Sequence, residues 1–217
     1  MSKAICIKKS VVFPDGVDHL PPDVYLHDHQ AILTAEVTLE DRSTCETDQS
    51  LLQIIPYITI FDNKTKEVFV YARGTSSGEK GLVGKCSIGL GGHMEVLPGE
   101  MSLSQIIVEE AMRELEEEIQ LEPNDELRDS LQSKLFHGNV GFMYNTRTDV
   151  DRVHLAVAFF VGVDSEEIMA KVHETGVITK GQFMSISDIR RAVDAGTFEI
   201  EHWTRMVLQA AGYSWIN

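Results

Sequence analysis

The segment from Leu103 to Ile119 constrains this chain most, because its pattern suits one conformation. Leu103, Ile107, Ala111, Leu115 and Ile119 recur at i+4 spacing, so a helix over 103–119 gathers them into one apolar stripe that another layer must cover. The same helix brings Glu114, Glu117 and Glu118, spaced i, i+3 and i+4, onto one face, with Glu110 one turn earlier. Like charges so arranged repel one another, and Arg113 is the nearby cation. Two readings fit: a solvated acidic face, or a set of oxygen ligands for a hard divalent cation such as Mg2+, which would relieve the repulsion.

The flanks read mainly as sheet. Gln53 to Phe61 is rich in Ile and Tyr, Asp62-Asn63-Lys64-Thr65 is turn-like, and Glu67 to Arg73 alternates apolar and polar residues, which predicts a hairpin. A loop over 75–85 leads to a short strand at Cys86 to Leu90 that runs into Gly91-Gly92. Pro123-Asn124 ends the long helix, and a second short helix is expected at Asp125 to Gln132. Strands are expected near Leu135 to Tyr144 and Val153 to Val163, then helices at Ser187 to Val193 and Phe198 to Ala211, the last with Trp203 on its apolar side. This order predicts one mixed α/β layered structure. The first fifty residues are interrupted at Pro14-Asp15-Gly16 and Pro21-Pro22, so residues 1–50 are expected to form an extension packing on a domain of 51–217.

At 217 residues and 43% hydrophobic content, the chain can bury one substantial core. A net charge of -15 argues against broad capture of extended nucleic acid or an anionic membrane surface. A phosphate-bearing ligand must then meet local cations, and Arg73, Lys80 and Lys85, bordering the loop before the glycine pair, are candidates for that contact. Cys6, Cys45 and Cys86 are odd in number, far apart and free of C-x-x-C spacing, suggesting neither a disulfide framework nor a zinc site. With no signal-like start and no apolar run long enough for a membrane span, the expected location is the cytoplasm.

Residues 91–121 resemble the Nudix box, whose pattern is G-x5-E-x7-R-E-U-x-E-E-x-G-U with U aliphatic. Arg113, Glu114, Leu115, Glu117, Glu118 and Leu121 match its second half in register, and the resemblance extends over about Leu51 to Ala211. The first half departs. Strict spacing places Gly99 at the box glycine but Gln105 at the first glutamate, whereas Gly91-Gly92 with Glu100 fits if the intervening loop is lengthened. The second register is preferred, because Gly91-Gly92 ends a strand. Gln120 replaces the last box glycine.

The resemblance implies an α/β/α sandwich with a mixed central sheet and a pyrophosphohydrolase that uses Mg2+, with Mn2+ as a substitute. Glu114, Glu117 and Glu118 with the Gly91 carbonyl would hold the metal, Arg113 would position the helix, and Glu174 would be the general base. With Glu100 displaced, Glu109 is the candidate i,i+4 partner for Arg113. His93, just after the glycine pair, joins the candidate substrate contacts. The implied partner is a small nucleotide substrate, with a homodimer possible. Two alternatives stay open: a Nudix-like module that binds a nucleotide without cleaving it, and a prenyl-diphosphate enzyme. The isomerases of the latter class place a cysteine two residues before the histidine, where Gly91 stands here.

Overall fold

The computed structural model describes residues 2–26, 30–74, 83–95, 99, 101–119, 126–137, 139–169 and 178–212. In chain order these form β1 (Lys3–Lys8), α1 (Lys9–Val12), β2 (Asp23–Leu26), α2 (Gln30–Leu33), β3 (Val37–Asp41), α3 (Arg42–Cys45), β4 (Leu51–Asp62), β5 (Val68–Arg73), β6 (Cys86–Ser87) and β7 (Gly89–Leu90). Then follow α4 (Leu103–Ile119), α5 (Glu126–His137), β8 (Asn139–Asn145), β9 (His154–Val163), α6 (Ser165–Met169), β10 (Ile178–Met184), α7 (Ile186–Asp194) and α8 (His202–Ala210).

One sheet runs in the order β10-β5-β4-β9-β8-β2. It is mixed: β4 and β9 are parallel from Gln53↔His154 to Asp62↔Val163, while the other named pairs are antiparallel. Alternation along β4 divides the two layers. Leu52, Ile54, Ile58 and Ile60 face α4 and α5 in one core, which includes the stripe Leu103, Ile107, Ala111, Leu115 and Ile119. Tyr57 faces the other core, with Ile189 of α7 and Met206, Val207 and Leu208 of α8. Two helical layers enclosing a mixed sheet make the α/β/α sandwich that the resemblance implied.

Residues from the first fifty build strands at separate places in this sheet. β1 pairs with β3 and with Leu51 to Gln53 of β4, and β2 pairs with β8. Two expectations change. The strand anticipated from Leu135 starts at Asn139, because Leu127, Leu131 and Leu135 continue an i+4 buried stripe that carries α5 on to His137. The strand at Cys86 to Leu90 is broken into β6 and β7, which pair with different neighbours. Among the described residues, no helix is long and apolar enough to cross a membrane.

Candidate active site

β4 and β5 are in register at Phe61↔Val68 and then part. β6 stays with β5, through Tyr71↔Ser87 and Ala72↔Cys86, whereas β7 stays with β4, through Ile58↔Leu90 and Thr59↔Gly89. The sheet therefore forks, and the segment 91–95 leaves from the fork toward α4.

Glycine is required at that exit. Gly91 has φ +143, and a Cβ there would lie 2.1 Å from the Pro56 carbonyl oxygen, so no side chain fits. A Cβ on Gly92 would lie 2.8 Å from each carboxylate oxygen of Glu114, so its absence lets that carboxylate rest against the backbone. Arg113 and Glu110 fasten the segment to α4. Arg113 Nη2 donates to the His93 carbonyl at 2.8 Å, and the Glu95 N–H donates to Glu110 Oε2 at 2.9 Å.

Arg113 also donates through Nη1 to Glu117 Oε1 at 2.9 Å and through Nε to Glu110 Oε2 at 3.3 Å, with Glu114 as a further ion-pair partner. Burial opposes its charge, but Glu114, Glu117 and Glu110 outweigh burial and hold its pKa above the ordinary value. The foreseen Glu109–Arg113 pair is not formed, since Glu109 Oε1 accepts from Gln132 Nε2 at 3.0 Å across to α5.

Glu118 is 8% exposed and its Oε2 has no hydrogen-bond partner. Burial pushes its pKa up to about 8, although Arg73 and a backbone hydrogen bond from Gly91 pull the other way. Glu114 is raised as well, chiefly by burial. Glu117 is the exposed member of the three.

Arg73 enters from the β5 side of the fork. Its Nε donates to Glu201 Oε2 at 2.8 Å, and Glu201 is 1% exposed. Tyr57 Oη donates to Glu201 Oε1 at 2.9 Å, and Ser87 Oγ donates to the same oxygen at 2.5 Å. The Arg73 guanidinium thus serves two buried acids, bonding Glu201 and lowering the pKa of Glu118. Glu201 escaped the sequence reading because, next to an amphipathic helix, it looks like a capping acid. It holds the N-cap position of α8 but makes no side-chain cap bond.

Lys85 pairs at the surface with Glu199, 3.1 Å away. His93 Nε2 lies 3.2 Å from His154 Nε2, and His154 Nδ1 donates to the Val150 carbonyl at 2.7 Å. A carbonyl only accepts, so His154 carries its hydrogen on Nδ1 and receives one from His93. Burial, then His154 and Arg42, push the His93 pKa down to about 3. Lys80, Glu100 and Glu174 lie outside the described residues.

Gln105, the residue at odds with the strict box register, has a local role. Its Oε1 accepts from the Ser102 N–H at 2.9 Å, and its own N–H is 3.4 Å from Ser102 Oγ, so the two form a capping box opening α4. The pattern Ser102-x-x-Gln105 was a legible signal for this.

Comparison with known proteins adds to the geometry. No family model matches the chain. Protein YmaB of Bacillus subtilis (strain 168) is 29% identical over 167 residues, spanning 77% of this chain and 74% of YmaB. The crystal structure of Tm1382, a candidate Nudix hydrolase, superposes with TM-score 0.66 at 17% identity, covering 97% of each chain. A NUDIX hydrolase from Alicyclobacillus acidocaldarius overlaps with TM-score 0.46 at 13% identity, covering 73% of this chain and 90% of that one. The mixed sheet between two helical layers superposes on Tm1382 over nearly the whole length, and this chain has the Nudix-like fold.

Proposed function

We propose that the chain is a Mg2+-dependent hydrolase that cleaves the pyrophosphate bond of a nucleoside diphosphate linked to another moiety: a nucleotide sugar, a dinucleotide or a nucleoside triphosphate. The observation that carries this reading is Glu118, a buried carboxylate with an unpartnered oxygen, one turn from Glu114. An acid whose burial outweighs its compensating partners destabilises the fold, and such groups cluster where charge is handled. The side-chain-free approach at Gly92 leaves the Glu114 carboxylate against the backbone of the glycine segment.

This donor set is all oxygen and suits Mg2+ or Mn2+. Glu114, Glu117, Glu118 and the Gly91 carbonyl would hold the metal, which when bound neutralises charge on the diphosphate and lowers the pKa of an attacking water. Arg113 keeps the glycine segment docked on α4 through the His93 carbonyl, so helix and segment act as one unit. Arg73, held by Glu201, supplies fixed positive potential beside Glu118. His93, kept neutral by burial, offers hydrogen bonding without charge near the glycine pair. Lys80 and Lys85 remain candidate phosphate contacts and Glu174 the candidate general base, on the sequence argument alone.

One observation favours the alternative of a nucleotide-binding module without turnover. Among the described residues, no three His, Cys, Asp or Glu side chains stand as a ready-made metal-ligand set, and Arg113 engages Glu110, Glu114 and Glu117. The deciding experiment incubates the chain with ADP-ribose, dinucleotides and nucleoside triphosphates, with and without Mg2+ or Mn2+, and measures nucleoside monophosphate release. Metal-dependent turnover that falls on the order of 100-fold in Glu117→Gln supports the hydrolase. Tight binding without turnover, unchanged by that substitution, establishes the binding module instead.

A further inference from the structure

Cys6 on β1 and Cys45 at the end of α3 meet in a small buried cluster with Ala4, against which Leu51 packs. Their Sγ atoms are 2.7 Å apart, and neither thiol side chain reaches solvent. The topology accounts for the meeting. β1 and β3 pair antiparallel from Lys3↔Asp41 to Ile7↔Val37, and α3 follows β3 directly, so the chain doubles back beside the strand it has just paired with. The 39-residue separation of the two cysteines conceals the contact in the sequence.

We propose that Cys6 and Cys45 are a reversible redox pair whose disulfide braces the strand supporting the glycine segment. β1 is that support: the Ile5 N–H donates to the Met94 carbonyl at 2.8 Å, two residues beyond Gly92. The other end of the brace is anchored too, because the Arg42 N–H of α3 donates to the Ser2 carbonyl at 3.1 Å. A covalent link between residues 6 and 45 would hold β1, β3 and α3 as one unit behind the active-site segment.

The chemistry is thiol–disulfide exchange with a low-molecular-weight disulfide, RSSR. Burial raises both thiols, and either can donate the hydrogen bond between them. On opening, one thiolate attacks RSSR, forms the mixed disulfide and expels RS−, which takes up that thiol's proton. The other thiolate then displaces the second RS−, which takes the remaining proton. One S–S bond and two S–H bonds break, and one S–S bond and two S–H bonds form. Access requires opening of the outer strand β3, which has β1 as its named strand partner, so oxidation is expected to be slow.

The test uses the full chain treated with glutathione disulfide or with dithiothreitol, then denatured, alkylated with N-ethylmaleimide and weighed intact. The expected result is one labelled cysteine after oxidation and three after reduction, with a Cys6–Cys45 crosslink in the nonreducing peptide map. The oxidised chain is expected to melt higher by roughly 5–15 °C. Cys86→Ser keeps that shift, and Cys6→Ser and Cys45→Ser each lose it. If either variant folds poorly, the wild-type peptide map alone decides. Three labelled cysteines after oxidation, glutathione adducts without the crosslink, or a crosslink through Cys86 would overturn the proposal, and a crosslink with no rise in melting temperature would overturn the bracing role.

Discussion

Arg73 and Glu201, 128 residues apart in the chain, form a buried ion pair that ties β5 to the start of α8. Removing one partner strands the other charge in a poorly solvated site. Glu201→Ala should therefore cost about 3–5 kcal/mol and lower the melting temperature by roughly 6–20 °C. The double variant Arg73→Met with Glu201→Met should recover part of that loss, because neither member of the ion pair is left without the other. Differential scanning calorimetry of the three proteins checks this, and a double variant less stable than Glu201→Ala would contradict it.

Gly91 and Gly92 are adjacent but should respond differently to alanine. At Gly91 the new Cβ meets the Pro56 backbone oxygen at 2.1 Å in a left-handed conformation, so Gly91→Ala should destabilise the fold by about 1–3 kcal/mol or more. At Gly92 the Cβ meets the end of the flexible Glu114 side chain, which can turn away. Gly92→Ala should fold normally while weakening the response to Mg2+. Urea denaturation with and without the metal separates the two effects.

The stability of the metal-free protein should fall with rising pH between about 6.5 and 8. The Glu118 carboxyl has a folded pKa of about 8 against an ordinary 4.5, so over that range the folded state holds a proton that the unfolded chain has lost. His93 works in the opposite sense, but in a lower window. Its folded pKa of about 3 against 6.5 removes stability only as the pH falls below 6.5. Melting curves at pH 6.5, 7.2 and 8 should slope downward without metal and flatten with Mg2+. Glu118→Gln should abolish the slope, stabilise the metal-free protein at pH 8 and eliminate turnover. A Glu118→Gln protein with the wild-type slope would show that another group is responsible.

Gln105 should matter to the helix but not to catalysis. Gln105→Ala removes half of a capping box and is expected to cost about 0.5–2 kcal/mol with turnover unchanged. A large loss of turnover at unchanged stability would restore the strict register in which residue 105 takes the place of a box glutamate.

The parts of this fold that were legible are those in which one segment carries its own signal. The stripe from Leu103 to Ile119 specifies α4 because all five apolar positions lie on one short stretch, and β4, β5 and β9 are rich in branched or aromatic residues. β1 and β3 were not legible. They are strands because of partners thirty or more residues away. The same holds at the site. The Arg113 to Glu118 run could be read directly, whereas Glu201 and the His93–His154 contact depend on elements that meet only after the sheet has formed. Glu109 misled for a local reason: helical spacing puts both Glu109 and Glu110 within reach of Arg113, and the choice was made by Gln132 on a different helix.

The long sequence distance closed by Arg73 and Glu201 also bears on when the protein can mature during synthesis. A nascent chain truncated before residue 201 already contains the forked sheet, the glycine segment and the whole of α4, yet the guanidinium of Arg73 has no acid to meet from the second layer. The wall behind the carboxylates is thus completed only once residue 201 is available, and polypeptides truncated before it are expected to lack the ion pair that fixes Arg73 beside Glu118.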